Sequence, residues 1–499
     1  MRIPSAHLPF PYWEPFERRI ALLIVSLVAA VALLTLFGPA LPIVVFGLAG
    51  FFLIAIIWLR PSWGFYLYLI LLFSLHWFTD SLQVLPKPFN FIPDVLVLML
   101  FLRGCYNRLH QGRALPRTPI DFFVILFICV AVLSSLINQR DSVLVFFNGL
   151  FRQNLKFILL SYALIYLAPT ERVLRRLILL FVTLELIQVP ITVIQFLVYR
   201  NWDLAGGTLG FATTGVLALS ALMLMALLFG LARVTHKMQY SYLGLLLFIP
   251  LVVGEGKIGF VLAPLLILFL LIYRWGLFRA RTTLILVLFG LSYVLSILAL
   301  SVLLPQARSL NVLSSLSYTL DNYERSLSAT GGFPRSRLGD IEFTVGLLSV
   351  DTTKTLFGYG PGSSSRAFTE VADGSLYSQF KEFEGPYFYF SFVQLSTTLL
   401  EYGLAGLLVY LMTLWRVYRC NSKFLAKTTD TFWGGVAWGF RGVVFVFVAG
   451  IVYWRVWSTE VLASMFWMLS GIILVQGWRL RDSELSRGRP ETVCTSESS

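Results

Sequence analysis

Residues 208–232 read TLGFATTGVLALSALMLMALLFGLA, 25 positions without one charged side chain. A helix that crosses a bilayer needs about 20 mostly apolar residues. This run meets that length, and the chain on either side repeats the pattern. Working outward, fourteen such runs appear: Ile20–Phe37, Ala40–Leu59, Trp63–Thr79, Phe89–Tyr106, Ile120–Ile137, Leu155–Ala168, Leu174–Val198, Thr208–Ala232, Ser241–Val253, Lys257–Tyr273, Thr282–Leu304, Tyr387–Tyr418, Phe432–Trp454 and Val461–Trp478. Leu155–Ala168 and Ser241–Val253 are short, and Phe89–Tyr106 carries Pro93 and Asp94 near its start. Tyr387–Tyr418 is too long for one straight span, so its first half is expected along the interface.

Composition agrees. Of 499 residues, 57% are hydrophobic and 13% charged. Soluble domains carry about 25% charged residues, so about half the usual polar surface is missing. Phe (43), Tyr (21) and Trp (13) suit lipid-facing packing and the interfacial belts.

Charge sets the expected orientation, because Lys and Arg favour the cytoplasmic side of short loops. With the N-terminus inside, the inside segments hold 24 basic residues. The short outside connections hold 7, namely Lys87, Arg140, Arg152, Lys156, Arg200, Lys257 and Arg455. The alternation holds over fourteen spans, which places both termini in the cytoplasm. The net charge of +13 is then retention of positive charge inside, not a nucleic-acid surface. A basic cytoplasmic face also favours anionic lipid. No cleavable signal is expected, since Ile20–Phe37 is long for an h-region and no A-x-A-like site follows. Cys105, Cys420 and Cys494 face the cytoplasm and Cys129 lies in a helix, so no external disulfide is expected.

The expected architecture is all-α and polytopic. Residues 1–119 form N-terminal spans and 120–304 central spans. Residues 305–386 form one large loop, 387–478 the C-terminal spans, and 479–499 a disordered cytoplasmic tail. The loop is an ordered lid of short helices, with a periodic stretch at Gly339–Val350 and a glycine-dense turn, Phe357-Gly358-Tyr359-Gly360-Pro361-Gly362. Long loops of this kind are usually functional or disordered, and its aromatic content argues for order.

Within the loop, Arg335 and Arg337 form an R-x-R pair, and guanidinium forks match phosphate oxygens bidentately. A solvated surface pair is the plainer account of the same residues. Lys257 closes the short turn Gly254-Glu255-Gly256 at the membrane edge, where it holds a lipid phosphate or snorkels to headgroups. Polar groups inside spans are costly and often functional. Glu185 and Arg441 lie mid-span and suit a neutralising pair, and Glu401 precedes Gly403 and Gly406. There is no G-x-x-x-x-G-K-[ST] loop, no H-E-x-x-H and no Cys/His cluster, so no ATPase, zinc site or cofactor is expected. Of four histidines, three are cytoplasmic and His76 lies near the outer end of its span.

The order of four stretches resembles the O-antigen ligase and O-antigen polymerase superfamily of bacterial membrane glycosyltransferases. These are Ile194-Gln195-Phe196 with Gly207-Thr208-Leu209-Gly210-Phe211; Gly254-Glu255-Gly256-Lys257; Arg337 followed by Leu356-Phe357-Gly358-Tyr359-Gly360-Pro361-Gly362; and Leu399-Leu400-Glu401-Tyr402-Gly403-Leu404-Ala405-Gly406-Leu407. The likeness spans residues 120–480. It implies a GT-C-like fold and a periplasmic loop in the bacterial plasma membrane. It also implies transfer of glycan from an undecaprenyl diphosphate carrier to a hydroxyl of an acceptor glycan or lipid-linked glycan, usually without a metal. Lys257 and Arg337 would be the diphosphate clamp, with Arg335, Gln394, Glu401 and Gln195 binding substrate. Chain-length regulators and other assembly proteins are the implied partners. Ligases of this kind carry a His before the post-loop helix, whereas this chain has Phe390-Ser391-Phe392-Val393-Gln394 there, which favours a polymerase. Asp340, Glu342, Glu370, Glu382 and Glu384 remain as candidate bases. The rival readings are a lipid-linked oligosaccharide flippase and a non-catalytic assembly protein. A flippase would show two related halves and short loops.

Overall fold

The computed structural model describes residues 50, 54–138, 141–200, 204–211, 213–253, 257–275, 337–365, 373–381 and 390–487. By its internal contacts the chain divides into two units, Met1–Gly64 and Phe65–Ser499. In the first, residues 54–59 are helical. The expected spans Ile20–Phe37 and Thr282–Leu304, most of Ala40–Leu59, and Arg335 lie outside the described residues.

All regular structure among the described residues is helical. The helices are α1 (Pro61–Ser81), α2 (Lys87–His110), α3 (Asp121–Asn138), α4 (Val143–Leu167), α5 (Glu171–Tyr199), α6 (Thr214–Thr235) and the shorter α7 (Met238–Val253). They continue with α8 (Lys257–Trp275), α9 (Arg337–Ser349), α10 (Thr352–Phe357), α11 (Gln394–Lys427), α12 (Thr431–Val452) and α13 (Glu460–Arg487). Nine of these, α1–α6 and α11–α13, are long and apolar enough to cross a membrane. The protein is therefore a helical membrane protein.

Packing separates centre from periphery. The apolar windows of α6 and α13 are 89% buried and that of α3 only 22%. On α3, Phe122 and Ile125 point outward, as lipid-facing side chains do. The seam between α6 and α12 is built from small residues. A Cβ on Gly230 would lie 2.4 Å from the Gly435 carbonyl oxygen, and one on Gly439 2.6 Å from Leu227 Cα. Gly435 and Gly439 are four apart on one face, the spacing that lets two backbones approach closely.

Two helices differ from the sequence reading. The short run at Leu155–Ala168 is the second half of α4, which starts at Val143 and passes through a π-helical stretch, Asn148–Leu155. α11 starts at Gln394, runs nine residues past Tyr418 to Lys427, and breaks at Gly403 (φ 64°, ψ −168°). Glu185 is buried and takes the Ser220 hydroxyl at 2.8 Å rather than pairing with Arg441.

Candidate functional site: a cationic cleft at one end of the bundle

A cleft of about 500 Å³ opens where α1 and α12 end and α4, α11 and α13 begin. Its walls include His76 from α1, Asn148, Arg152, Gln153 and Lys156 from α4, and Phe390 and Phe392 just before α11. Trp454, Arg455, Ser458 and Thr459 come from the α12–α13 turn, and Glu460 opens α13.

The local backbone explains how one helix delivers four polar groups. Asn148–Leu155 is π-helical, so its hydrogen bonds run i to i+5 and the turn is wider. Residues four or five apart then share a face, which aligns Asn148 with Arg152 and Gln153, and Arg152 with Lys156. α1 also ends in a π-helical turn, Trp77–Ser81, directly after His76. Single π turns inside helices are frequent at functional sites.

The charged groups form a chain across four helices. Lys156 is 2% exposed, and its Nζ donates to Asp94 Oδ1 and Glu460 Oε1, each at 2.6 Å. Asp94 Oδ2 lies 3.1 Å from Arg152 Nε. Glu460 Oε2 lies 3.5 Å from His76 Nε2, and His76 Nδ1 lies 3.0 Å from Asp80 Oδ2. A buried ion is tolerated only where partners saturate it, and Lys156 has two carboxylates. Arg455 stands opposite, its Nε donating to the Ser391 carbonyl at 2.6 Å.

The loop helix α9 holds this wall in place. Asp340 is fully buried and accepts from the backbone N–H of Ser391, Phe392 and Val393, at 2.8, 2.9 and 3.1 Å. Its carboxylate therefore caps α11 and is not a base facing the cleft. Ser391 is a hub. It sits at φ 51°, a conformation that costs a non-glycine residue, and its hydroxyl meets Ser364 and Thr397. Burial outweighs the backbone donors and pushes the Asp340 carboxyl up to about 6, from 3.8. The folded state thus binds this proton more tightly than the unfolded chain. The stabilisation is complete below pH 3.8 and is lost as pH rises through about 6. Relative to Asp340→Asn, the wild type is expected to lose thermal stability in detergent between pH 4 and pH 6.5. Parallel curves over that interval would refute the assignment.

Among the residues singled out from sequence, Arg337 reaches the edge of the cleft. Its Nε donates to the Tyr453 carbonyl at 3.0 Å, and its guanidinium lies over the rings of Tyr453 (4.0 Å) and the lining residue Phe392 (5.3 Å). Lys257 opens α8 and is not among the residues that line the cleft. The other three are taken up by the fold. Gln195 bonds both the N–H and the carbonyl of Gly207, at 2.7 and 2.9 Å. Gln394 is buried, and its Oε1 accepts from Trp457 N at 2.9 Å, which pins the turn that carries Arg455. Glu401 is fully buried, and its Oε1 accepts from Ser364 and Ser365, each at 2.8 Å. Sequence reading assigned no role to Arg152, Lys156, Arg455 or His76. The available signal was that the expected topology puts the three basic ones on the side that disfavours positive charge. No protein-family model matches the chain, and no curated protein matches it either.

Proposed function

We propose that the protein is a glycosyltransferase of the bacterial plasma membrane. It takes glycan repeat units from an undecaprenyl diphosphate carrier and transfers or polymerises them onto a glycan hydroxyl, in the synthesis of O-antigen, capsule or exopolysaccharide. One observation carries this reading. Arg152, Lys156 and Arg455, three of the seven basic residues that the expected topology puts in short outside connections, line one cleft with Arg337 at its rim. A leaving lipid diphosphate gains negative charge as the glycosidic bond breaks, and preorganised cations in a poorly hydrated site stabilise it. The aromatic wall of Phe390, Phe392 and Trp454 suits the face of a sugar ring. In this reading Lys257 and Arg335 extend the clamp toward the lipid, fourteen helices span the membrane, both termini are cytoplasmic, and the 82-residue loop is periplasmic.

The direct test is a deletion strain. Lipid-linked repeat units are expected to accumulate on the periplasmic face, and Arg337→Ala is expected to shorten the surface glycan at normal protein level. Accumulation on the cytoplasmic face would replace the transferase with a flippase. The side of the loop is tested at Val350, which is 87% exposed. In a chain freed of its native cysteines, Val350→Cys is expected to react with a membrane-impermeant thiol reagent in intact cells. Protection until the cells are lysed would invert the topology.

A further inference from the structure

We propose that the end of the bundle opposite the cleft carries a binding site for an anionic phospholipid with two phosphates, formed by Arg416, Arg419 and Lys423 of α11 and Arg481 of α13. The site shares no residue with the cleft.

α11 and α13 both begin at the cleft, so their last turns lie at the other end of the bundle. The two helices still touch there. A Cβ on Gly477 of α13 would meet Phe424 of α11 at 3.9 Å, and Arg481 follows one turn later. Arg416, Arg419 and Lys423 are spaced i, i+3, i+7, which puts them on one face of α11. All four charges act on the thiol of Cys420, and among the described residues no carboxylate does. All four side chains are exposed, and among the described residues none forms an ion pair. Arg416 Nε donates to the Pro119 carbonyl at 3.3 Å. Carboxylates are present at this end, since Arg175 pairs with Glu171 at 2.6 Å and with Asp430, just past the end of α11, at 2.8 Å. The protein therefore neutralises a cation nearby and leaves these four unmatched.

The same face of α11 continues as an apolar stripe. Leu404, Leu408, Met412 and Trp415 are 41%, 54%, 48% and 60% exposed. At about 100° per residue, these four and the three cations of α11 fall within about 120° of arc. The stripe is about 17 Å long, close to the hydrocarbon depth of one leaflet, half of about 30 Å. It ends where the cations begin, in the order of acyl chain and phosphate in a lipid. Trp415 stacks on Tyr418 at that junction, with ring centroids 5.8 Å apart, as aromatic side chains do at headgroup level. Arg416 and Lys423 are about 10 Å apart along the axis, and Arg481 widens the cluster onto a second helix. That breadth suits two phosphates joined through a glycerol. A diphosphate, with both phosphorus atoms on one bridging oxygen, is more compact than the cluster. Basic pockets between membrane helices bind headgroups of the two-phosphate kind.

The test titrates purified full-length protein in detergent with diphosphatidylglycerol and, separately, with zwitterionic phosphatidylethanolamine, counting bound lipid by native mass spectrometry. The wild type is expected to hold one diphosphatidylglycerol at concentrations where phosphatidylethanolamine is lost. Arg419→Ser combined with Lys423→Ser removes two exposed cations from the cluster. It is expected to weaken binding about thirtyfold, about fivefold for each cation beside an anionic headgroup. Arg172→Ser combined with Lys237→Ser is the control, because it removes the same charge from exposed positions at the same end, at the start of α5 and just after α6. Its affinity is expected to match the wild type. An equal loss in the control would reduce the site to general surface charge. Wild-type affinity in Arg419→Ser/Lys423→Ser would remove the site, and so would equal retention of phosphatidylethanolamine by the wild type. If that variant instead loses added undecaprenyl diphosphate and keeps diphosphatidylglycerol, the cluster belongs to the carrier lipid and the proposal fails.

Discussion

Arg455→Ala is expected to lower glycan transfer by about 10³, the loss typical when a preorganised donor to a developing negative charge is removed. That corresponds to about 4 kcal/mol of transition-state stabilisation. The size of the effect follows from how firmly the cation is held. Arg455 sits in the turn between α12 and α13, and its Nε is fixed by the Ser391 carbonyl. Ser391 is itself fixed by Asp340 through its N–H and by Ser364 and Thr397 through its hydroxyl. The next turn residue but one, Trp457, is tied to Gln394 and stacked on Tyr410 at 3.9 Å. A guanidinium held from so many sides needs little reorganisation as charge develops. Arg455→Lys keeps the charge but loses the planar fork, so a smaller loss is expected. The measurement is transfer of extracted lipid-linked glycan by purified protein, with thermal unfolding in detergent as the control for folding. A wild-type rate in Arg455→Ala would remove the cleft from the reaction.

The cleft was largely hidden in the sequence because its parts are far apart along the chain. His76, Asp94, Lys156 and Glu460 form one chain of contacts, and no local motif joins them. An R-x-R pair is visible locally, and so attention falls on Arg335 and Arg337. The charge pattern did carry the missing information in another form. In the orientation expected from sequence, Lys156 and Arg152 stand outside against the positive-inside bias, so something in the fold would have to retain them. Asp94 and Glu460 are that something. Gln195, Gln394 and Glu401 mislead for the opposite reason. A polar side chain in an apolar run either meets a ligand or satisfies the chain's own backbone. The partners that decide the matter, Gly207, Trp457 and the Ser364–Ser365 pair, are recognisable only once the fold is known.

Helices were far more legible, since apolar length alone marks a span. The nine long apolar helices all correspond to runs found from sequence. The failures are local and have causes. The first half of α4 holds Asn148, Gly149, Arg152, Gln153 and Asn154, so hydropathy places the start at Leu155. Those polar residues are the ones the π-helical stretch turns toward the cleft and its surroundings. Gly403 and Gly406 read together as a close-packing pair. In the fold only Gly403 departs from helical backbone, and it breaks α11 beside Glu401.

That break supports the second large prediction, that Gly403→Ala and Gly358→Ala each destabilise the folded protein by about 3 kcal/mol, the upper end for a strained backbone position. The two glycines have nearly the same conformation, φ 64°, ψ −168° and φ 73°, ψ −165°. Both values lie in a region essentially reserved for glycine. They also face each other's neighbours. A Cβ on Gly403 would lie 2.4 Å from the Leu356 carbonyl carbon and oxygen, and one on Gly358 would lie 2.6 Å from the Glu401 carbonyl carbon. The obstructing atoms are backbone, so no side chain can turn aside to relieve the clash. The joint is closed by Tyr359 N donating to the Leu400 carbonyl at 2.6 Å and Gly360 N to that of Glu401 at 3.2 Å. It holds the glycine turn against α11, and through Ser364 it reaches Ser391 and hence Arg455. Transfer should therefore fall with stability. Gly346 in α9 provides the control, because a Cβ there meets nothing within 4 Å. Gly346→Ala is expected to raise stability by about 0.5–1 kcal/mol, the ordinary gain in a helix interior. Thermal unfolding of the three variants in detergent should thus give two large decreases and one small increase. Wild-type midpoints for Gly403→Ala and Gly358→Ala would mean that the glycine turn is not seated in the break of α11.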